Sequence, residues 1–243
     1  MWSMFVGDEV AGIRLPRSAL RYALLQRPML QRFTGLSRRL GIPPSLLLLA
    51  NTAFRRRTVT SDYSRMIRAD FEMIRPHLPP TASRILDIGC GIAGLDVFLF
   101  RHYRHNPGLK ITLLDHTDPH TIPRYGFVQR MEFYNVLEVS SAVMRRNGVP
   151  AGVFQTLDAA AEGTFPEGPL DLVVSLASWG FHYPLSTYLE QVYRALAPGG
   201  RLILDVRRDQ GQEQELASRF ADLEGIDSTW NDKACRYRAT KHE

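Results

Sequence analysis

The stretch Ile85-Leu86-Asp87-Ile88-Gly89-Cys90-Gly91-Ile92-Ala93-Gly94 decides how this chain is read. A short apolar run at 84–88 leads into Gly89, Gly91 and Gly94, a G-x-G-x-x-G spacing, and an apolar helical pattern follows at 95–103. Glycines at such a turn let the backbone bend sharply and let a ligand approach the main chain with no Cβ in the way. The spacing alone is weak evidence; its place between a strand and a helix gives it weight. Asp115 closes a second strand predicted at 110–114, 21 residues beyond Gly94. A carboxylate there can accept hydrogen bonds from the ribose of a nicotinamide dinucleotide or of an adenosyl cofactor. The plainer alternative is a turn or cap residue.

Outward from this turn, strands are predicted at 153–157, 170–176 and 201–206, with a helix at 135–147. Another helix opens at Thr187-Tyr188-Leu189-Glu190, which has capping-box spacing, and stops at Pro198-Gly199-Gly200. Short apolar strands alternating with helices predict an α/β fold: a doubly wound, mostly parallel sheet covered on both faces. The last 36 residues are expected to give a helix at 212–223 and a hairpin from Ser228-Thr229-Trp230 and 234–239. Upstream, Tyr63, Met66, Ile67, Phe71 and Ile74 form one apolar face of a helix, with Asp62 as its N-cap and Pro76, Pro79 and Pro80 beyond its end. The chain is therefore divided at 80, into a helical, Arg-rich extension (1–80) and an α/β domain (81–243).

Two cysteines, Cys90 and Cys235, make neither a disulfide framework nor a zinc site, and fit a reducing, cytoplasmic setting. Neither a signal peptide nor an apolar run of about 20 residues is found. The net charge of +5 is uneven: residues 1–60 hold ten arginines, no lysine and two acids, a charge of +8. Such a segment suits a solvated helical lid over the site. The alternative is a phosphate-rich partner or peripheral contact with an anionic membrane. Base-stacking aromatics are not interleaved with these arginines, so no nucleic-acid module is recognisable. His116, Asp118 and His120 lie close together but lack a ligand spacing, and no metal is expected.

Leu86-Asp87-Ile88-Gly89-Cys90-Gly91 resembles the first motif of class I, Rossmann-like methyltransferases that use S-adenosylmethionine. The resemblance extends, in the family's order, to Asp115, to Thr156-Leu157-Asp158-Ala159, to Asp171-Leu172-Val173-Val174-Ser175, and to Leu196-Ala197-Pro198-Gly199-Gly200-Arg201-Leu202-Ile203-Leu204. It implies a seven-stranded-type sheet and S-adenosylmethionine as cofactor. Asp87 would hold the amino group of its methionine end, and Asp115 its ribose. Asp158 would meet the adenine. Cys90, Gly94, His116, Ala159 and Ser175 line the same implied site. A dehydrogenase would usually need a second domain, for which little chain remains. A non-catalytic cofactor-binding module is a further alternative, although no glycine or acidic position looks degraded.

In this fold ligands lie beyond the carboxyl ends of the strands. The segment after the fourth strand, Ser175-Leu176-Ala177-Ser178-Trp179-Gly180-Phe181-His182-Tyr183-Pro184, is therefore expected to be a loop facing the methyl group. His182 is the candidate base for a hydroxyl acceptor. Trp179, Phe181 and Tyr183 are candidate walls of the acceptor site, although aromatics here can equally be packing. The segment departs from the Asn/Asp-Pro-Pro-Tyr/Phe pattern of many amino-group methyltransferases, which favours O-methylation of a small molecule, sugar or glycan over N-methylation. Tyr63 and Arg68 are candidates from the upstream helix, and Asp205 is either an acceptor contact or a loop residue. The oligomeric state is not legible.

Overall fold

The structure is a computed structural model that describes residues 11–32, 34–117, 135–161, 165–166, 168–208, 210–226 and 234–242. Five strands run parallel: β1 (Arg84–Ile88), β2 (Lys110–Asp115), β3 (Phe154–Asp158), β4 (Leu170–Ser175) and β6 (Leu196–Arg207). Between β4 and β6 comes an extended segment, β5 (Ser178–Tyr183), outside the main sheet. Two more strands, β7 (Asp222–Ile226) and β8 (Ala234–Thr240), complete a seven-stranded sheet of order β3-β2-β1-β4-β6-β8-β7. In it β8 is antiparallel to both neighbours. The order reverses between β1 and β4, which places the topological switch point beside the glycine turn.

The central strands are mainly apolar because helices cover both faces. One face meets α1 (Ala19–Gln26), α4 (Arg56–Ile74), α5 (Gly94–Tyr103) and α6 (Leu137–Arg146) in a single core that includes Ile13, Leu24, Tyr63, Phe71, Ile85 and Ile111. The other face packs against α7 (Leu189–Ala195) and α8 (Gln212–Arg219), with Trp179, Val192, Leu204 and Phe220. Between α1 and α4 come two further helices, α2 (Thr34–Arg39) and α3 (Pro44–Phe54). Residues 13–78 thus share a core with the sheet, because the helices before β1 bury their apolar stripes on it.

The main strands and helices stand close to their sequence positions; four local expectations are corrected. Asp62 is no N-cap: α4 begins six residues earlier, and Asp62 pairs with Arg65 on its surface. The spacing at Thr187 forms no capping box, and Glu190 pairs instead with Arg194 and Arg219. The helix expected to reach 223 stops at Arg219, and 222–226 is the strand that pairs with β8. Ser228, Thr229 and Trp230 lie outside the described residues. The segment after β4 is extended rather than looped, held against β6 where a Cβ on Gly180 would stand 2.8 Å from the Asp205 carbonyl.

Candidate active site

The glycine turn is shaped by its neighbours. Gly89 N–H donates to the Leu114 carbonyl at 2.7 Å, and Gly91 N–H to Asp115 Oδ2 at 2.8 Å. Both glycines hold positive φ, +76° and +54°, and Ala93 adopts the same left-handed region before α5. A Cβ on Gly89 would strike Ser178, one on Gly91 the Gln26 carboxamide, and one on Gly94 the Tyr63 hydroxyl. Residues from α1, α4 and β5 therefore converge on the turn.

Asp87 ends β1 almost fully buried, and Asp96, in the first turn of α5, is completely excluded from solvent. Among the described residues, neither Asp96 oxygen finds a hydrogen-bond partner other than the facing Asp87 carboxyl. Burial pushes the Asp96 carboxyl up to about 7; burial, then the neighbouring charges of Asp96 and Asp115, raise Asp87. Two buried carboxyl groups side by side without a cation are costly, and a ligand's ammonium group would relieve both. Tyr63 is buried against Gly94, and burial raises its phenol above the ordinary range. Cys90 is buried and its thiol is likewise raised, chiefly by burial.

Asp115, His116, Asp158 and Ala159 meet at the carboxyl ends of β2 and β3. Ala159 N–H donates to the Asp115 carbonyl, and His116 Nδ1 lies 3.5 Å from Asp158 Oδ1. Asp115 accepts from the backbone N–H groups of Gly91 and His116 and from Asn135 Nδ2, while burial pushes its carboxyl up to about 6. Asn135 and Ser140 both donate to the Gly91 carbonyl at 2.7 Å.

Sequence reasoning missed Gln26, Asp96, Asn135 and Ser178. Asp96 carried a readable signal, an acid on an otherwise apolar helix face two residues after the third glycine. The others come from distant elements and have none.

Two expected site residues use their side chains in packing. Ser175 is fully buried; its hydroxyl donates to the Ile88 carbonyl and accepts from Trp179 N–H, so it fastens β4 to β1 and to β5. Trp179 is fully buried too, with Nε1–H donating to the Leu185 carbonyl, and is core rather than an acceptor wall. Phe181, His182 and Tyr183 lie at the carboxyl side of the sheet but face differently. Tyr183 Oη is 3.5 Å from Ser178 Oγ, close to the glycine turn; burial raises its phenol, with Asp115 and Asp87 adding to the effect. His182 is exposed, edge-on to Phe181, on the side of Arg207. Desolvation by neighbouring atoms and then the Arg207 charge lower its pKa from 6.5. Arg68 lies over the Phe98 ring. Asp118 and His120 lie outside the described residues.

Residues 129–204 match the family model described as a methyltransferase domain. A methyltransferase domain is thus recognised over that stretch of the chain. The fold is shared with solved structures of low identity. A candidate O-methyltransferase from Nostoc punctiforme is 16% identical with a TM-score of 0.54, over 75% of this chain and 58% of that one. A methyltransferase from Pyrococcus furiosus is 14% identical, TM-score 0.52, over 73% and 83%. An O-methyltransferase from Thermotoga maritima is 18% identical, TM-score 0.50, over 72% and 65%. No curated protein matches the sequence.

The site's chemistry fits S-adenosylmethionine, the cofactor that the resemblance of the glycine motif implies. The buried pair of carboxyl groups, Asp96 beside Asp87, suits an ammonium group, and the glycine cradle, which any Cβ would fill, suits a ligand lying against the backbone.

Proposed function

We propose that this protein transfers the methyl group of S-adenosylmethionine to a hydroxyl of a small molecule, such as a sugar or a glycan unit. The cofactor supplies an electrophilic methyl carbon, so the protein's task is alignment and proton removal. Asp87 and Asp96 hold the ammonium end, Asp115 the ribose, and Asp158 with Ala159 the adenine side.

The observation that carries the hydroxyl reading is His182: exposed beyond the sheet's carboxyl ends, with a pKa lowered so that the imidazole is neutral near pH 7. A neutral imidazole accepts a hydroxyl proton; a protonated one cannot. The O-methyltransferase descriptions of the Nostoc and Thermotoga proteins point the same way.

The test begins with mass spectrometry of metabolite and cell-envelope extracts incubated with the enzyme and deuteromethyl-labelled cofactor. With the acceptor in hand, His182→Ala should lower kcat by roughly 10²–10⁴-fold with cofactor affinity unchanged. The parent rate should rise with pH through a midpoint below 6.5. Label on nitrogen, or full activity in His182→Gln, would favour an amine acceptor. Cofactor binding without labelling of any extract would favour a non-catalytic binding module.

A further inference from the structure

We propose that α2, α3 and the turns beside them form a docking surface for an anionic lipid bilayer, a role that goes beyond methyl transfer. Among the described residues, the large exposed hydrophobics are Met29, Leu40, Leu46, Leu49 and Phe54, all within 26 consecutive positions, and Phe54 is 89% exposed. On α3 the outward residues Leu46, Leu49 and Ala53 follow i, i+3 and i+7, with Phe54 next to them, whereas Leu47 and Asn51 turn inward. An exposed helix normally shows charges to water; this one shows leucine and phenylalanine.

The same segment is exclusively cationic. Residues 10–61 contain ten arginines and no lysine, aspartate or glutamate, so the rest of the chain carries −5. Arg27 is paired with Asp70, and Arg55 caps the Leu30 carbonyl. Arg14, Arg17, Arg21, Arg32, Arg39 and Arg57 are exposed.

Charge complementarity selects the occupant. A second copy docking by the same face would bring two acid-free arginine surfaces together, and like charges oppose that. A nucleic acid would match the charge but leave the apolar helix face uncovered. An anionic bilayer satisfies both, with phosphate at the level of the arginines and acyl chains beneath Leu46, Leu49 and Phe54. At 11 residues α3 is too short to span, and no helix among the described residues is long and apolar enough to cross a membrane. It would therefore lie in the interface plane.

Co-sedimentation of the full chain with phosphatidylcholine vesicles, with and without phosphatidylglycerol, tests this. Binding should need the anionic lipid and weaken steeply as salt rises. The triple variant Leu46→Ser/Leu49→Ser/Phe54→Ser should lose binding by about tenfold or more. Arg39→Glu/Arg57→Glu should lose a similar amount and flatten the salt dependence. Calorimetric binding of adenosylhomocysteine, which these surface changes should leave intact, shows that the variants are folded. The proposal is overturned if the parent fails to bind anionic vesicles, if it binds both vesicle types equally, or if folded variants bind like the parent. It is also overturned by a dimer in sedimentation velocity that the triple variant abolishes.

Discussion

Asp205 and Asp96 are the same residue type, and neither exposes any surface to solvent, yet the chain treats them differently. Asp205, at the end of β6, is completed from within. Arg236 of β8 donates to both of its oxygens at 2.7 and 3.0 Å, and Ala177 N–H adds a third bond at 2.9 Å. Arg236 continues to Asp70, which also receives Arg27 from just beyond α1. Asp96 is faced by another acid, Asp87, and among the described residues no cation bonds to it. A buried carboxylate with its cation in place braces the fold; one without a cation is a site waiting for a ligand. The first also serves the second. Its bond to Ala177, held at a φ of +55°, sets the entry to β5 and so brings Ser178 against Gly89.

The comparison breaks most visibly at Arg236. Arg236→Met leaves Asp205 buried and uncompensated, and should destabilise the protein by about 3–5 kcal/mol in urea unfolding. Adding Asp205→Asn should recover much of that loss, since the remaining buried group is then neutral. Equal stability of Arg236→Met and the parent would show that the pair is not a brace.

Asp96 should behave in the opposite way. Its folded pKa, about 7, lies above the ordinary 3.8, so between about pH 4 and 7 the folded state binds more protons than the unfolded. The ligand-free protein should therefore lose stability as pH rises through that window. Asp96→Asn should flatten this loss and raise ligand-free stability at pH 8 by on the order of 1–3 kcal/mol. It should also weaken adenosylhomocysteine binding, because the ammonium loses a carboxylate; Asp87→Asn should weaken it too. Thermal midpoints at pH 5.5 and 8, with and without the ligand, read both effects. A variant less stable at pH 8 than the parent would mean that Asp96 has a partner after all.

The turn between these carboxylates is the next most sensitive point. Gly91→Ala forces a Cβ into the left-handed region and toward Gln26, 2.7 Å away, and should cost roughly 1–3 kcal/mol of stability. Adenosylhomocysteine affinity should fall at least about tenfold, since the same Cβ stands where the ligand meets the backbone. Affinity like the parent's, measured by calorimetry, would place the ligand elsewhere.

What the sequence revealed followed from local signals. Five strands, the glycine turn and the acids at 87, 115 and 158 announce themselves by apolar runs and fixed spacing, which depend on neighbours a few residues away. The packing of Trp179 and Ser175 was not legible because they sit in a stretch whose composition suggested a loop, while tertiary packing against β6 and Leu185 makes it an extended, half-buried segment. Gln26 and Asn135 reach the site across 66 and 44 positions, distances over which no periodicity carries information. The start of α4 was read late because Arg56 and Arg57 offer no cap or apolar rhythm; Val59, fully buried, ties that first turn to the core.

Gln26 gives the smallest and most informative effect. Its carboxamide oxygen accepts from Ile92 N–H at 3.3 Å and fills the space above Gly91. It thus stands beside the turn that a ligand's polar end would meet. A ligand that enters must displace it and break that bond, at a cost of about 0.5–1.5 kcal/mol. Gln26→Ala should therefore tighten adenosylhomocysteine binding by roughly two- to tenfold. If the side chain instead swings aside and bonds the bound ligand, the same variant should weaken binding by a similar factor. Calorimetry on this one variant separates the two. Only tightening fits the contrast with Asp205, in which the chain completes its structural carboxylate permanently and covers its ligand site with a group that can leave.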